Sequence, residues 1–183
     1  MRCARTALAV LLLASAVGAP AAAQNKQFPN VPLFTQDGTP VLFYDDLIKG
    51  RVVLLNFFFT SCPLICPRTT ANMVKVEEAL GERLGRDVRI ISITVDPEKD
   101  TPRVLEAYSR RYGTKPGWYF VTGKLEDIAV LKRHFGVDFY GRDKTDHTGM
   151  LVYGNEATQQ WAATPSMANP EQIVRSVMRL VKP

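Results

Sequence analysis

One stretch of the sequence, residues 52–84, changes from a strand pattern to a helix pattern, and it constrains the fold more than any other. Residues 52–59 form a short run that contains β-branched and aromatic side chains and no charge, which is typical of a strand buried in a sheet. From Met73 onward, apolar residues recur at intervals of three and four, which predicts an amphipathic helix. The fold must therefore join a core strand directly to a helix.

Two cysteines, Cys62 and Cys66, lie at this junction, and each is followed by a proline. Pro67 suits the first position of a helix, so we expect Cys66 at or near the N-cap and Cys62 in the preceding loop. Unpaired backbone N–H groups at a helix start favour thiolates and lower thiol pKa values. The pair is therefore predicted to act as a redox pair or as soft metal ligands, the alternative being two small buried apolar side chains.

Three motifs follow one another along the chain: FTSCPLICP at residues 59–67, SITVDPEKDTP at residues 92–102, and DHT at residues 146–148. In this order they resemble the Sco/SenC family of thioredoxin-like copper proteins, and the resemblance covers nearly all of the chain after residue 25. The family pattern often has an acidic residue between the cysteines, whereas this chain has Leu64 and Ile65. The missing negative charge bears on partner recognition and not on metal ligation.

Residues 1–23 have the layout of a secretory signal peptide, with Arg2 and Arg5, an Ala/Leu-rich stretch and a small-residue end at residues 21–23. We expect cleavage near Ala23, which would also remove Cys3. The alternative is an uncleaved membrane anchor. The apolar run is short for a bilayer span of about 20 residues and is interrupted at positions 18 and 20, which favours cleavage.

Residues 24–183 would then form a single domain, because their number suffices for one hydrophobic core and not for two ordinary ones. The net charge would fall from +5 to +3, since the first 23 residues hold two arginines and no acidic residue. The remaining basic residues are scattered, so nucleic-acid binding is not expected. Only Cys62 and Cys66 would remain, which is too few cysteines for a disulfide scaffold. We also expect the mature protein to be a monomer.

Turn signals divide the domain into strands and helices. A hairpin is predicted at residues 33–44, and further strands at 52–59, 88–95, 118–121, 149–153 and 160–163. Helices are predicted to follow Pro67, ending near Gly85, and to cover 102–112, 124–135 and 170–181. This order, together with the resemblance, predicts a thioredoxin-like α/β sandwich: a central mixed sheet flanked by helices, with an N-terminal β-hairpin.

Two histidines are candidates for a further ligand, because a copper site that also holds Cu(II) usually adds an imidazole to a thiolate pair. His134 falls near the end of the third helix, off its apolar stripe, which predicts a surface role. His147 lies in a polar loop before a buried strand, and in the Sco/SenC pattern the Asp-His pair supplies the copper-binding histidine. We therefore expect Cys62, Cys66 and His147 as ligands; the alternative for His147 is a solvated loop position.

Asp96 follows the predicted strand 88–95 and precedes a proline. From the residues alone, an Asp-Pro turn without chemistry is the better interpretation. The resemblance to the family's Asp-Pro-x-x-Asp-Thr segment implies that Asp96 lies near the thiols. There it would either contact a metal ligand without binding the metal itself, or accept a proton. Cys62, Cys66 and Asp96 all follow strand ends, so we expect them at one edge of the sheet.

The resemblance implies an extracytoplasmic copper chaperone or thiol-disulfide reductant that assists assembly of the copper centre of cytochrome c oxidase. One copper ion, as Cu(I) or Cu(II), would be passed to the copper-bearing subunit of the oxidase or to another copper protein. The mature chain would be soluble in the periplasm or an equivalent compartment, or anchored to the membrane if the N-terminal segment is retained. Whether the thiols also work as a thiol-disulfide oxidoreductase stays open.

Two alternatives use the same residues differently. The first is a metal-independent, thioredoxin-like thiol-disulfide oxidoreductase or peroxidase, although redox motifs of that fold usually have two residues between the cysteines and this chain has three. The second is a structural zinc site. Two thiolates and one histidine would leave an open coordination position, which a closed structural zinc site does not have.

Overall fold

The computed structural model describes residues 28–137 and 149–181. The strands are β1 (Pro32–Thr35), β2 (Pro40–Leu42), β3 (Val52–Phe58), β4 (Val88–Thr94), β5 (Trp118–Gly123), β6 (Met150–Asn155) and β7 (Gln160–Pro165). The α-helices are α1 (Ile65–Leu80), α2 (Pro102–Tyr112), α3 (Leu125–His134) and α4 (Pro170–Met178), with a π-helix at Phe43–Ile48 and a 3₁₀ turn at Gly81–Arg83. Within these ranges no helix is both long and apolar enough to span a bilayer.

The strands form one mixed sheet in the order β2-β1-β5-β4-β3-β6-β7. Strands β3, β4 and β5 are parallel, and β3 and β4 end together because Phe58 pairs with Thr94. Strand β6 runs antiparallel to β3, with Leu151 opposite Asn56, so β6 begins near the edge at which β3 ends. Three segments therefore meet at this edge: the chain after β3, the chain after β4 and the chain before β6.

The sheet is covered on both faces, which explains why every residue of β3 is buried. Alternate side chains of a strand point to opposite faces, and those of β3 divide between two hydrophobic clusters. One cluster includes Leu54, residues of α1, α2 and α4, and both cysteines. The other includes Leu55, residues of the π-helix and residues of α3. The prediction of an α/β sandwich with an N-terminal hairpin is confirmed.

Helix α1 differs from the prediction at both ends. It begins at Ile65, so Leu64 and not Cys66 is the N-cap residue. Pro67 is tolerated in the first turn because the N–H groups there have no partner within the helix. The last residue of the helix is Leu80, and its C-cap is Gly81, which has a positive φ of 53° and precedes the predicted terminator, Gly85.

The ends of α2 agree with the prediction, and one position of α3 does not. Thr101 precedes α2, and Gly113 ends it with a φ of 65°. In α3, Ile128 and Leu131 are buried as expected. Leu125 was expected on the same apolar face but is 57% exposed, because it is the first residue of the helix.

Candidate thiol and metal site

The loop between β3 and α1 folds back so that the thiol of Cys62 faces the start of the helix. The Cys62 N–H donates to the Phe59 carbonyl at 3.2 Å, which closes a turn directly after β3. The Cys66 N–H donates to Cys62 Sγ at 3.4 Å, and the backbones of Leu64 and Ile65 also hydrogen-bond this sulfur. The Cys62 sulfur therefore accepts hydrogen bonds from N–H groups that a helix start leaves unpaired.

These contacts stabilise the anionic form of Cys62. Burial disfavours its thiolate, but hydrogen bonds from the Cys66 thiol and from the backbone N–H groups outweigh burial and hold the pKa of Cys62 below its ordinary value. The side chain is 6% exposed, so the sulfur lies just beneath the surface. Cys62 is thus the better nucleophile and the first thiolate to form.

The second thiol has the opposite character. Cys66 is 2% exposed, and burial, followed by its hydrogen bond with Cys62, raises the pKa of the Cys66 thiol to about 12. The charges of Cys62 and Asp100 raise it further, while a hydrogen bond from the Phe59 backbone lowers it. Both cysteines are reduced in this structure and hydrogen-bonded to each other, and their pKa values are shifted in opposite directions, so Cys62 loses its proton before Cys66 does.

A fully buried carboxylate, Asp100, fixes the loop that leads to Cys62. Its oxygens accept hydrogen bonds from the Thr60 N–H at 3.1 Å, the Thr60 hydroxyl at 2.5 Å and the Thr94 hydroxyl at 2.5 Å. These bonds tie the chain after β3 to the last residue of β4. Residues 92–102 of the sequence predict a site residue at Asp96 and give no signal for Asp100, because the partner Thr60 of Asp100 is 40 positions away.

Asp96 forms the turn between β4 and α2. Its N–H donates to the Thr94 hydroxyl at 3.0 Å, and its carbonyl accepts from the N–H groups of Lys99 and Asp100. The side chain is buried, at 9% exposure. This geometry agrees with the turn interpretation, and a chemical role of Asp96 beside the thiols stays a prediction.

The opposite wall of the site comes from β6, from the end of β7 and from α1. A small cavity is lined by Cys66 and Thr69 of α1, by Gly149, Met150 and Ser166, and by the end of β3. The hydroxyls of Thr69 and Ser166 lie 3.1 Å apart and hydrogen-bond to each other. A Cβ atom on Gly149 would lie 3.1 Å from Ile65 Cδ1, so the start of β6 packs closely against the first turn of α1.

The two histidines fall in different parts of the chain. His134 ends α3, and its ring contacts Phe28 and Phe135, which belong to the cluster on the sheet face opposite the thiols. The ring is half-buried among aromatic side chains, so His134 is less exposed than predicted, but it lies in the last turn of α3 as expected. His147 lies outside the described residues, and its role as a ligand stays a prediction.

The donor set suits a soft metal ion. Two sulfurs close enough to hydrogen-bond, one with a lowered pKa, match the preference of Cu(I) for thiolates. Among the described residues, no group of three or more His, Cys, Asp and Glu side chains could hold a metal ion.

A mixed sheet with helices on both faces, and a cysteine pair where a central strand passes into a helix, defines a thioredoxin-like α/β protein. Residues 21–182 match the model of the SCO1/SenC family, and the chain belongs to that family. It is 42% identical over 100 residues to the SCO1 protein homolog of Bacillus subtilis. The aligned region covers 52% of this chain and 50% of the relative.

Two solved structures extend the similarity to the fold. Bradyrhizobium japonicum ScoI with copper bound has a TM-score of 0.68 and 26% identity, covering 81% of this chain and 96% of that one. BsSco is a Sco-family cytochrome c oxidase assembly protein in which a disulfide switch was identified. It has a TM-score of 0.67 and 27% identity, and the match covers 82% of this chain and 91% of that one. By sequence, the matched region spans 50% of the length of the Bacillus subtilis protein and 64% of the length of a second curated relative.

Proposed function

We propose that this chain binds one copper ion through Cys62, Cys66 and His147 and delivers it, outside the cytoplasmic membrane, during assembly of the copper centre of cytochrome c oxidase. The observation that carries the proposal is the hydrogen-bonded pair of sulfurs at the start of α1, with a thiolate-stabilising environment at Cys62. A family relative with copper bound supports the choice of metal. Copper is the cargo in this proposal.

Chain connectivity supports His147 as the third ligand. Only one residue separates His147 from Gly149, so their Cα atoms lie within about 7 Å of each other. Gly149 lines the same cavity as Cys66 and packs against Ile65, the residue that precedes Cys66. An imidazole from this segment therefore has the reach to approach the thiols, whereas His134 belongs to the opposite face of the sheet.

Copper binding by this pair requires loss of a proton from Cys66, whose pKa of about 12 keeps it protonated near neutral pH. Binding should therefore release protons, and the affinity for copper should fall on acidification. Transfer to a partner would proceed by ligand exchange, in which Cys62, the sulfur nearer the surface, is the first to be replaced. The partner would be the copper-bearing subunit of the oxidase or another copper protein.

The ligand assignment predicts different losses for the different variants. Cys62→Ser or Cys66→Ser should abolish tight Cu(I) binding, because one thiolate is lost from a soft pair. His147→Ala should mainly weaken Cu(II), and His134→Ala is the matched control. Anaerobic titration with Cu(I) and spectroscopic titration with Cu(II) measure both. If His134→Ala loses Cu(II) while His147→Ala matches the parent, the histidine assignment is wrong.

The second candidate function is thiol-disulfide exchange without a metal. The lowered pKa of Cys62 beside a buried partner thiol favours it, because the Cys62 thiolate can attack a partner disulfide, which forms a mixed disulfide and releases one partner thiolate. Cys66, on losing its proton, then attacks the mixed disulfide at Cys62, which releases the second partner thiolate and leaves the partner reduced and the Cys62–Cys66 pair oxidised. The two functions exclude each other at any one moment, since oxidation removes the thiolates that copper needs. Copper titration of the reduced protein and of the Cys62–Cys66 disulfide separates them: equal affinity in both forms would leave the metal-free oxidoreductase as the better proposal.

The proposed location rests on the first 23 residues. A cleaved signal peptide would leave a mature chain that starts near Gln24 and is soluble in the periplasm or an equivalent compartment. Mass spectrometry of the fractionated native protein tests this proposal. An intact N-terminus recovered in the membrane fraction would establish the anchored form instead.

A further inference from the structure

A leucine between the two cysteines is exposed to solvent. Leu64 is 77% exposed, the most exposed of the large apolar side chains that the structure describes. It is also the N-cap residue of α1, where leucine is disfavoured because its side chain cannot accept a hydrogen bond from the first N–H groups of the helix. The Cys62 sulfur accepts the Cys66 N–H instead. Neither core packing nor helix capping therefore explains a leucine at this position.

Leu64 borders the more reactive sulfur. Its backbone hydrogen-bonds Cys62 Sγ, so the two residues are in direct contact. This sulfur lies just beneath the surface, at 6% exposure, and Cys66 is buried more deeply. A group of another protein that bonds to Cys62, or replaces it on copper, must approach this sulfur closely. The surface around that group then lies against Leu64.

The surface at this point carries no charge. Residues 59–67 contain no Asp, Glu, Lys, Arg or His, and Ser61 and Pro63 are exposed like Leu64. The first charged residue along α1 is Arg68. Exposed apolar surface gains free energy when other apolar surface covers it, whereas charged groups select a partner by complementary charge. The surface beside Cys62 therefore favours a partner with an apolar group at the point of contact.

We propose that Leu64 is the docking contact for the protein that exchanges ligands with Cys62, and that this partner presents an apolar side chain next to its own reacting cysteine or histidine. The inference rests on the proposed function and adds the chemistry of the partner surface. Docking buries Leu64 beside the reacting sulfur, which lengthens the encounter in which the exchange takes place.

The chain offers a matched control in Leu125. This leucine is 57% exposed and is also at the start of a helix, but α3 packs on the sheet face opposite the thiols. Alanine is the replacement at both positions, because it removes the apolar side chain and adds no charge. Both leucines are exposed, so neither variant leaves a cavity in the core.

The first experiment needs no copper. The probes are two synthetic peptides with one cysteine held as a thiopyridyl disulfide, and with leucine or serine beside that cysteine. The Cys62 thiolate attacks the peptide sulfur, which forms a mixed disulfide and releases thiopyridone, whose absorbance gives the rate. We expect the reduced parent to prefer the leucine peptide about fivefold, after correction for the rates of both peptides with a small thiol. Leu64→Ala should lose this preference and Leu125→Ala should keep it.

Two controls separate docking from reactivity. Alkylation by iodoacetamide, a small reagent without an apolar side chain, measures the intrinsic reactivity of Cys62 in each variant. The preference of the parent should also be the same at low and high salt, because apolar contact is not screened. A preference that Leu64→Ala retains in full would overturn the inference. So would a dimer of the reduced parent that Leu64→Ala dissociates, since the leucine would then cover a second copy of the chain.

The second experiment uses the soluble copper-binding domain of the copper-bearing oxidase subunit, prepared without copper. We expect Cu(I)-loaded Leu64→Ala to transfer its copper at least about threefold more slowly than the parent at limiting partner concentration, with unchanged Cu(I) affinity. Leu125→Ala should match the parent. Equal transfer rates in the parent and Leu64→Ala would overturn this inference alone. If the parent transfers no copper, the proposed function fails, and a peptide preference that depends on Leu64 would still support docking at Cys62 for thiol exchange.

Discussion

Two regions of the molecule each bury a carboxylate and treat it differently. At the thiol edge, Asp100 is completely buried, and its oxygens accept three hydrogen bonds from Thr60 and Thr94. In the second half of α1, Glu77 is 2% exposed and accepts one hydrogen bond, from the Lys115 N–H at 2.6 Å. The second oxygen of Glu77, Oε2, has no hydrogen-bond partner among the described residues.

The difference shows where the fold needs precision. The bonds of Asp100 hold Thr60 against the end of β4, and the loop that follows Thr60 directs Cys62 toward the helix start. Glu77 connects α1 to the loop before β5, a contact that one hydrogen bond secures. Burial raises the pKa of Glu77, the mark of a carboxylate without enough compensating donors. Of these two carboxylates, the one with more hydrogen bonds is the one that positions the loop carrying Cys62.

The largest expected effect is therefore at Asp100. Replacing it by alanine leaves one buried N–H and two hydroxyls without their acceptor, which should cost about 3 kcal/mol or more of the free energy of unfolding. Chemical denaturation measures the loss. The control is Glu98→Ala, an exposed position in the same turn, which should change stability by less than about 0.5 kcal/mol. Equal stability of the two variants would remove Asp100 as the anchor of the thiol loop.

Much of the fold could be predicted because its signals are local. The apolar run of β3, the Thr-Pro start of α2 and the turn between β1 and β2 each contain the residues that determine them. The start of α1 could not be located from Pro67 alone, since a proline fits any position of the first turn. Leu125 was placed on the apolar face by periodicity, although a residue at the start of a helix has less of the neighbouring turns to cover it.

The site could be predicted only in part. Cys62 and Cys66 stand in one short motif, so their proximity follows from the sequence. The importance of Asp100 depends on Thr60, 40 positions away, and becomes evident only when β3 and β4 pair in parallel. The close packing of Gly149 against Ile65 carries no local signal either, because it results from the antiparallel pairing of β6 with β3. Contacts made across a sheet are not encoded in any local pattern.

The next effect, smaller than the loss at Asp100, concerns the reactivity of the two thiols. With limiting iodoacetamide between pH 7 and 8, Cys62 should be alkylated at least about tenfold faster than Cys66, because only the thiolate reacts. The lowered pKa of Cys62 supplies thiolate in this range, while Cys66 stays protonated until the pH approaches about 12. Mass spectrometry of the cysteine peptides identifies the modified residue.

The same assay tests whether the two carboxylates differ in their influence on the site. The charge of Asp100 raises the pKa of Cys66, so Asp100→Asn should increase the alkylation rate of Cys66. Glu77→Gln should leave the rates of both cysteines unchanged. If the neutral residue at position 77 alters the Cys66 rate and that at position 100 does not, the contrast between the two regions is wrong.

The smallest expected effect is on stability at Glu77. Its pKa in the folded protein lies above the ordinary value, so the folded state binds this proton more tightly than the unfolded state does. Stability must then fall as the pH rises through the range between the unfolded and the folded pKa. Glutamine keeps the acceptor for the Lys115 N–H but does not titrate, so Glu77→Gln should lack this part of the decline. Near neutral pH the variant should gain less than about 1 kcal/mol, because its unpaired amide N–H₂ offsets part of the benefit. Denaturation at a series of pH values measures the difference in stability between the variant and the parent, which should shrink on acidification. If the variant instead loses stability relative to the parent as the pH rises, the buried carboxylate is favourable as an anion.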